Sequence, residues 1–404
     1  MTTAPTLPNP NVHSARQSGF SLAELMVGIA VGLIVTLVVV STMGTMGLQR
    51  RTAVSGNDAK ESGQAALNVM ERIGRLAGTG LFYNGRLICG RINVYYNGAT
   101  LLNGSVLMPV KITDGGSTGS DKVTFTYGSA TGGHSISHLV DNMPNTSANF
   151  TVGNAGSLAD GELAVVGVPD IDRPCTLFQV TGFPPGGGNC NNITSSCVDV
   201  QHNSGIAGPY NPSNPNNAFT DAPNYGYETS GSVIGPAVIS RIGTFHNDTY
   251  EVLCNSLVSH AATSTASCNG SPVSFTNATP WVSNIVMIKA QYGISDNINS
   301  DVVTQWVNAS DTAWSNPGAA DVPRIRAIRI AVVGRSPEAA LSEVTSACTN
   351  QAGVANTGPC AFQDADSPVI NLTAVPVVSG KSWRNYRYRV YQSVIPLRNV
   401  LWNY

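Results

Sequence analysis

Apolar positions run almost unbroken from Phe20 to Leu48, and Glu24 is the only ionisable side chain among them. The most apolar stretch, Leu25 to Val40, leads into a mixed Thr/Met/Gly segment; Arg16 precedes the run, and Arg50 and Arg51 follow it. Crossing about 30 Å of hydrocarbon takes about 20 apolar residues, so this stretch predicts a membrane-spanning helix. After Arg51 the pattern becomes amphipathic. Ala66, Met70, Ile73 and Ala77 recur at three- and four-residue steps, widened by Leu67 and Leu76, among Lys60, Glu61, Glu71, Arg72 and Arg75. One helix from Phe20 to about Ala77 would hold about 58 residues and reach about 87 Å at about 1.5 Å per residue. Its second half should dock on the rest of the chain. Gly44, Gly47, Gly56 and Gly63 are the places where it would bend or loosen.

Beyond the helix the period shortens. Alternating or short apolar runs at Val106–Ile112, Lys122–Tyr127, Glu162–Val168, Val233–Ile242, Val286–Tyr292, Arg324–Val333 and Tyr386–Ile395 predict strands separated by turn-rich loops. From Pro184 to Tyr227 Gly, Asn, Pro and Ser dominate, which predicts a long surface excursion with too few apolar residues to form core.

Composition adds a compartment. Charged residues are only 11% of the chain and the formal net charge is −2, so no global field draws it to nucleic acid or acidic lipid. The 8 cysteines, Cys89, Cys175, Cys190, Cys197, Cys254, Cys268, Cys348 and Cys360, all lie beyond the apolar run. An even count at loop-sized spacings points to disulfides in an oxidising compartment, and the C-x₂₋₄-C knuckles of a zinc site are missing. Cys190/Cys197, Cys254/Cys268 and Cys348/Cys360 can close local loops, leaving Cys89 and Cys175 to pair across the fold. Eight cysteines allow 105 pairings, so the connectivity stays open.

The apolar run lacks the small-residue cleavage site of a secretory signal peptide and flows straight into a helical pattern, so it should stay attached. An ordinary signal anchor leaves Glu24 unexplained. An ionised carboxylate costs about 2.5–3.5 kcal/mol at the centre of a membrane helix, so one near the end of such a segment calls for a partner. Gly19 followed by Phe20-Ser21-Leu22-Ala23-Glu24-Leu25-Met26-Val27 resembles the processing motif of type IV prepilins and pseudopilins. The resemblance implies that a membrane-embedded prepilin peptidase cuts after Gly19 and that the new amine of Phe20 is methylated. Glu24 of an incoming subunit would then neutralise the Phe20 amine of a neighbour, a pair that is strong at low dielectric. Gly28 and Gly32 form a G-x-x-x-G pair on one helix face, where a second helix can approach closely.

Three later segments narrow the resemblance. Trp281-Val282-Ser283-Asn284-Ile285-Val286 leads to Gln291-Tyr292-Gly293; Arg326-Ala327-Ile328-Arg329-Ile330 precedes Arg335-Ser336; and Tyr386-Arg387-Tyr388-Arg389 precedes Leu397-Arg398-Asn399. Together they resemble the PilW family of minor pilins. This implies an α+β, pilin-like fold: a leader over 1–19, a long helix over 20–78, and a large antiparallel, disulfide-bonded β head over 79–404. It also implies a single-pass protein of the bacterial inner membrane, its head in the periplasm, later carried into a surface pilus. The implied partners are prepilin peptidase, other minor pilins, the major pilin, a tip adhesin and the inner-membrane assembly platform. In many PilW-like chains an Asp/Asn/Gly-rich loop follows the Tyr-Gly pair, and here Asp296, Asn299 and Asp301 supply oxygens that can hold calcium; lacking the turn glycine and closing Glu of an EF-hand-like loop, the segment reads first as a plain polar turn. No other cofactor is expected.

Catalytic patterns are weak. Gly115-Gly116-Ser117-Thr118-Gly119 matches G-x-S-x-G in letters, but a predicted strand follows where a nucleophile elbow needs a helix. His134 and His138 lack the Glu of H-E-x-x-H and follow Gly132-Gly133, so they read as surface residues. Arg384, Arg387, Arg389 and Arg398, interleaved with tyrosines, could grip a nucleic-acid strand, but their period-two spacing favours a strand with alternating faces. The sequence therefore reads as a minor pilin of a priming or tip complex and not as an enzyme. The alternatives are a type II secretion pseudopilin resembling the J component, and an anchored adhesin or DNA-binding module.

Overall fold

A computed structural model describes residues 19–169, 171–184, 197–205 and 207–397. Residues 1–18 of the expected leader, Cys190, and the Arg398-Asn399 pair lie outside them. Two compact units divide the chain, Met1–Val54 and Ser55–Tyr404. The long helix α1 spans Leu22–Gly74. Its helical residues include Gly44, Gly47, Gly56 and Gly63.

The second unit is mostly β. Its larger sheets are built from β1 (Arg91–Tyr96), β2 (Ala99–Val106), β3 (Val110–Thr113), β4 (Lys122–Gly128) and β5 (Ile136–His138). There follow β6 (Leu163–Gly167), β7 (Pro174–Gln179), β8 (Val238–Gly243), β9 (Phe245–Leu253) and β10 (Ser256–Ala261). The last are β11 (Thr279–Ser283), β12 (Ile285–Ile294), β13 (Gln305–Asn308), β14 (Ile325–Arg335) and β15 (Tyr388–Pro396). They form three sheets, ordered β2-β1-β7-β6-β8-β5, β11-β10-β9-β4-β3 and β13-β12-β14-β15. Pairing is antiparallel throughout these sheets except between β1 and β7. The chain is an α+β protein: an apolar N-terminal helix followed by a large β head.

The central core forms where the helix stripe meets the second and third sheets. Ala66, Leu67, Met70 and Ala77 are buried there with Ile112, Phe125, Ile288, Ile328 and Ile330, as the amphipathic period requires. Leu76, read as part of the stripe, is exposed. Glycine sets the approach of helix to sheet. A Cβ on Gly334 of β14 would sit 2.5 Å from the carbonyl oxygen of Ala59, and one on Gly63 would meet the ring of Tyr391 at 2.5 Å. On the opposite face of the third sheet, Ala361, Ile370, Leu372 and Val375 cover Met287, Ala331 and Val333. Every residue of β12 and β14 is therefore buried.

The segment from 184 to 227 does more than the sequence suggested. Val198–Val200 pairs with Phe150–Val152, and Val200 and Tyr225 are fully buried in a separate core with Phe178 and Ile239. The Tyr225 hydroxyl donates to the carbonyl of Pro174, and burial pushes its pKa up to about 12. Asn211, also buried, accepts from the Gln179 amide at 2.8 Å and donates to the Gln179 carbonyl at 2.8 Å. Few apolar residues suffice because the buried side chains of Asn211 and Tyr225 hydrogen-bond to backbone groups. Disulfides join Cys89 to Cys175, Cys254 to Cys268 and Cys348 to Cys360, as the spacing suggested. Cys197 is also disulfide-bonded.

Two measurements test this packing. Gly334→Ala is expected to cost about 1–3 kcal/mol, because backbone atoms stand in the way of the methyl group. Gly270→Ala, where a Cβ meets nothing within 4 Å, should stay within about 0.5 kcal/mol. Equal denaturation midpoints for the two variants would refute the close approach. Burial holds the His202 imidazole, stacked on Phe150 and bonded to the Ala148 carbonyl, below its ordinary pKa of 6.5. The unfolded chain then binds this proton more readily, so stability should fall as pH drops below about 6.5. His202→Leu should flatten that part of the stability profile, and an unchanged slope would show that His202 does not contribute to it.

Candidate processing and assembly site

At the start of α1, Gly19 and Phe20 precede the helix and are exposed, Phe20 at 89%. Ser21 forms the N-cap. Its Oγ accepts from the Glu24 N–H at 3.2 Å, and the Glu24 carboxylate accepts from the Ser21 N–H at 2.9 Å. This reciprocal capping box satisfies two of the amide donors that a helix start leaves open. The sequence reading assigned Glu24 to a cation outside the chain and overlooked the box, although Ser-x-x-Glu before an apolar run is its signature. From Leu22 to Met43 the helix has a mean hydropathy of 2.6 and none of it is buried within the structure. Gly28 and Gly32 lie on this exposed surface, and a Cβ at either would meet nothing within 4 Å. The Thr36 hydroxyl folds back onto the Gly32 carbonyl at 2.7 Å, so it adds no open polar group to the apolar surface.

In the head, two of the segments that suggested a family, those holding Gln291 and Arg329, meet in one assembly. Arg329, at the centre of β14, is 1% exposed. Its Nε donates to Gln291 at 2.6 Å, one Nη donates to the Asp366 carbonyl at 2.7 Å, and both Nη atoms reach the carboxylate of Asp364. Trp306 and Phe362 flank the guanidinium at 4.8 and 4.6 Å. Hydrogen bonding to Arg329 holds the Asp364 carboxyl below its ordinary pKa. Nearby, Lys289 of β12 donates to Asp121 at 2.8 Å. Burial pushes that carboxyl up while the ammonium pulls it down.

The remaining candidates fall into local roles. Asp296 accepts from the Thr304 hydroxyl at 2.7 Å, Asn299 uses its backbone amide to bond Asn297 at 2.9 Å, and Asp301 faces the Arg326 guanidinium at 3.3 Å. Among the described residues no group of three or more His, Cys, Asp or Glu gathers as a metal site. Gly115–Gly119 lies in the turn between β3 and β4, where Asp121 accepts from the Gly115 amide at 3.0 Å. His134 bonds the Arg241 carbonyl at 2.8 Å, and His138 packs edge-on against Tyr83. A cleft of about 680 Å³ is lined by Phe82, Leu87, Ile298 and Ile325. The ionisable side chains in its wall are engaged: Asp172 with Arg91, Arg326 with Asp301, and Arg86 with a partner of its own.

Residues 14–40 match the prokaryotic N-terminal methylation motif, and residues 255–399 match the family of type IV pilus-assembly protein W. No curated protein and no solved structure matches the chain at a significant level. The motif, the apolar helix it opens and the disulfide-bonded head define a type IV pilin, a structural component of a pilus. The head match lies over β12, β14, β15 and the Arg329 assembly, and over this part the chain is similar to the PilW family.

The Arg329 assembly gives an ordering of costs. Asp364→Ala leaves a buried guanidinium without its anion and should cost about 3 kcal/mol. Arg329→Met keeps the packing between the two rings and leaves a carboxylate that is 45% exposed, so it should cost less, about 1–2 kcal/mol. Urea midpoints in the reverse order would show that packing, and not charge, governs the assembly.

Proposed function

We propose that this chain is a minor pilin of the complex that primes or caps a type IV pilus, processed between Gly19 and Phe20 and N-methylated on Phe20. The observation that carries the reading is an exposed Gly19-Phe20 junction at the head of an apolar helix, in a chain whose head matches a pilus-assembly family. Cleavage leaves a cationic amine at the start of the helix. Glu24 is exposed beside it. Its Oε2 holds the Ser21 amide, and a carboxylate has lone pairs enough to accept from an incoming amine as well. Such a charge-assisted bond in lipid fixes the register of one helix on the next. Gly28 and Gly32 supply the flat strip on which a neighbouring helix packs.

On this reading the protein passes once through the bacterial inner membrane with its head in the periplasm, where the disulfides form. Its partners are prepilin peptidase, the other minor pilins, the major pilin, a tip adhesin and the assembly platform. The match to a pilus-assembly family favours a pilus over a secretion pseudopilus.

Gly19→Ala should leave precursor-sized protein in the membrane, read by immunoblot and by mass of the N-terminal peptide. Glu24→Ala should be processed normally yet drop out of sheared pili. Mature-sized Gly19→Ala protein would sink the processing site, and undiminished Glu24→Ala in pili would sink the assembly contact. A deletion strain should lose surface pili and keep protein secretion; the opposite phenotype would favour the secretion reading.

A further inference from the structure

Open strand edges are hazards that folded proteins keep short, bent or covered. The first sheet ends on β5, with 3 residues, and on β2, whose register breaks twice and whose Thr100 and Asn103 bond the segment Ala218–Thr220. The second sheet ends on β3, with 4 residues, and on β11, which carries Pro280 and faces a register shift. The third ends on β13, with 4 residues, and on β15. β15 breaks the pattern: it has 9 residues, proline only at its end, and pairs with β14 without a register shift.

Its outer row of peptide groups can be assigned. Leu397 N–H donates to the Arg326 carbonyl, so the antiparallel alternation turns residues 395, 393, 391 and 389 inward to β14. Val390, Gln392 and Val394 therefore turn their N–H and C=O groups outward. Gln392 is exposed, Val394 is 51% exposed, and among the described residues nothing bonds these outer groups. At the start of the strand stand Arg384, Arg387 and Arg389, and none has a carboxylate within ion-pair distance among the described residues. By contrast Arg91, Arg241, Arg324, Arg326 and Arg329 are all paired with acids.

We propose that the outer edge of β15 is a docking edge that takes up an extended, carboxylate-bearing strand of another pilus protein, the carboxylates lying against Arg387 and Arg389. The edge supplies main-chain hydrogen bonds, and the arginines supply selection by charge. A second copy of this chain does not fit the same edge, because residues 381–397 contain no Asp or Glu to offer the arginines. The inference deepens the assembly reading and rests on it for the source of the partner.

The test uses the mature full chain in detergent micelles and short probes of alternating Val and Thr ending in two Glu, at either the N- or the C-terminus, with Lys-ended counterparts. Hydrogen exchange at Val390, Gln392 and Val394 should be fast in the free chain and slowed by an acidic probe. Val394→Pro removes one outward donor and no inward bond, so it should keep the melting temperature and weaken probe binding at least about tenfold. Gln392→Pro also removes one outward donor, together with the side-chain bond that accepts from the Phe362 N–H at 2.6 Å, and is used if Val394→Pro does not fold. Arg389→Glu should reverse the preference toward the Lys-ended probe. The proposal is overturned by slow exchange in the free chain, by protection that Lys-ended probes give equally, or by binding that both proline variants retain. Protection that appears with protein concentration alone would assign the edge to a second copy instead. None of these results bears on Gly19→Ala processing, so failure here and failure of the pilin reading are distinguishable.

Discussion

The fold of the head turns on one close approach, the backbone of α1 near Ala59 and Gly63 against Gly334 of β14. Without side chains between them, helix and sheet come near enough for Ala66, Met70 and Ala77 to reach Ile288, Ile328 and Ile330. That covers one face of β12 and β14, and the 361–375 segment covers the other. Burial on both faces then imposes a second condition: each charge these strands carry must find a partner, and Arg335 finds the Pro376 carbonyl and the Tyr386 ring. Lys289 finds Asp121, Arg326 finds Asp301, and Arg329 finds Asp364. Breaking such a pair leaves a lone charge at low dielectric, a larger penalty than most surface contacts confer. The same arginines that mark the family resemblance are thus held in place by the geometry that glycine permits.

How much of this was legible depends on the range of the signal. The apolar helix, the amphipathic stripe and the strands at 122–127, 162–168, 286–292 and 324–333 follow from local period, and the structure has all of them. The run Val106–Ile112 reads as one strand but divides between β2 and β3, because Pro109 interrupts it. β9 and β10, which mix Thr, Ser, His and Asn with their apolar residues, were missed because such strands carry little hydrophobic contrast. The 184–227 segment was read as coreless because its anchors are single residues, Val200 and Tyr225, whose burial depends on distant partners. The glycines of α1 were read as weak points by propensity; for Gly63 packing against Tyr391 supplies the actual reason.

The site residues divide in the same way. Gly19, Phe20 and Glu24 stand in a local motif, and the methylation-motif match covers them. Asp121 and Asp364 carried no signal of their own, since each lies far along the chain from the cation it serves. Arginines and a lysine inside predicted strands were the available clue: a charge within a fully apolar run implies an acid elsewhere in the fold.

Glu24 joins local and collective demands in one carboxylate. A membrane helix must satisfy its own first amides, because lipid offers no water to do so. Ser21 and Glu24 meet that demand within the chain, which explains a carboxylate here even in a lone subunit. The capping bond also fixes where the carboxylate points, beside the helix start where cleavage would place the Phe20 amine. A carboxylate already oriented loses less freedom when a second donor arrives than one swinging free. The cap and the proposed assembly contact are therefore complementary uses of one side chain: the first holds the geometry that the second requires.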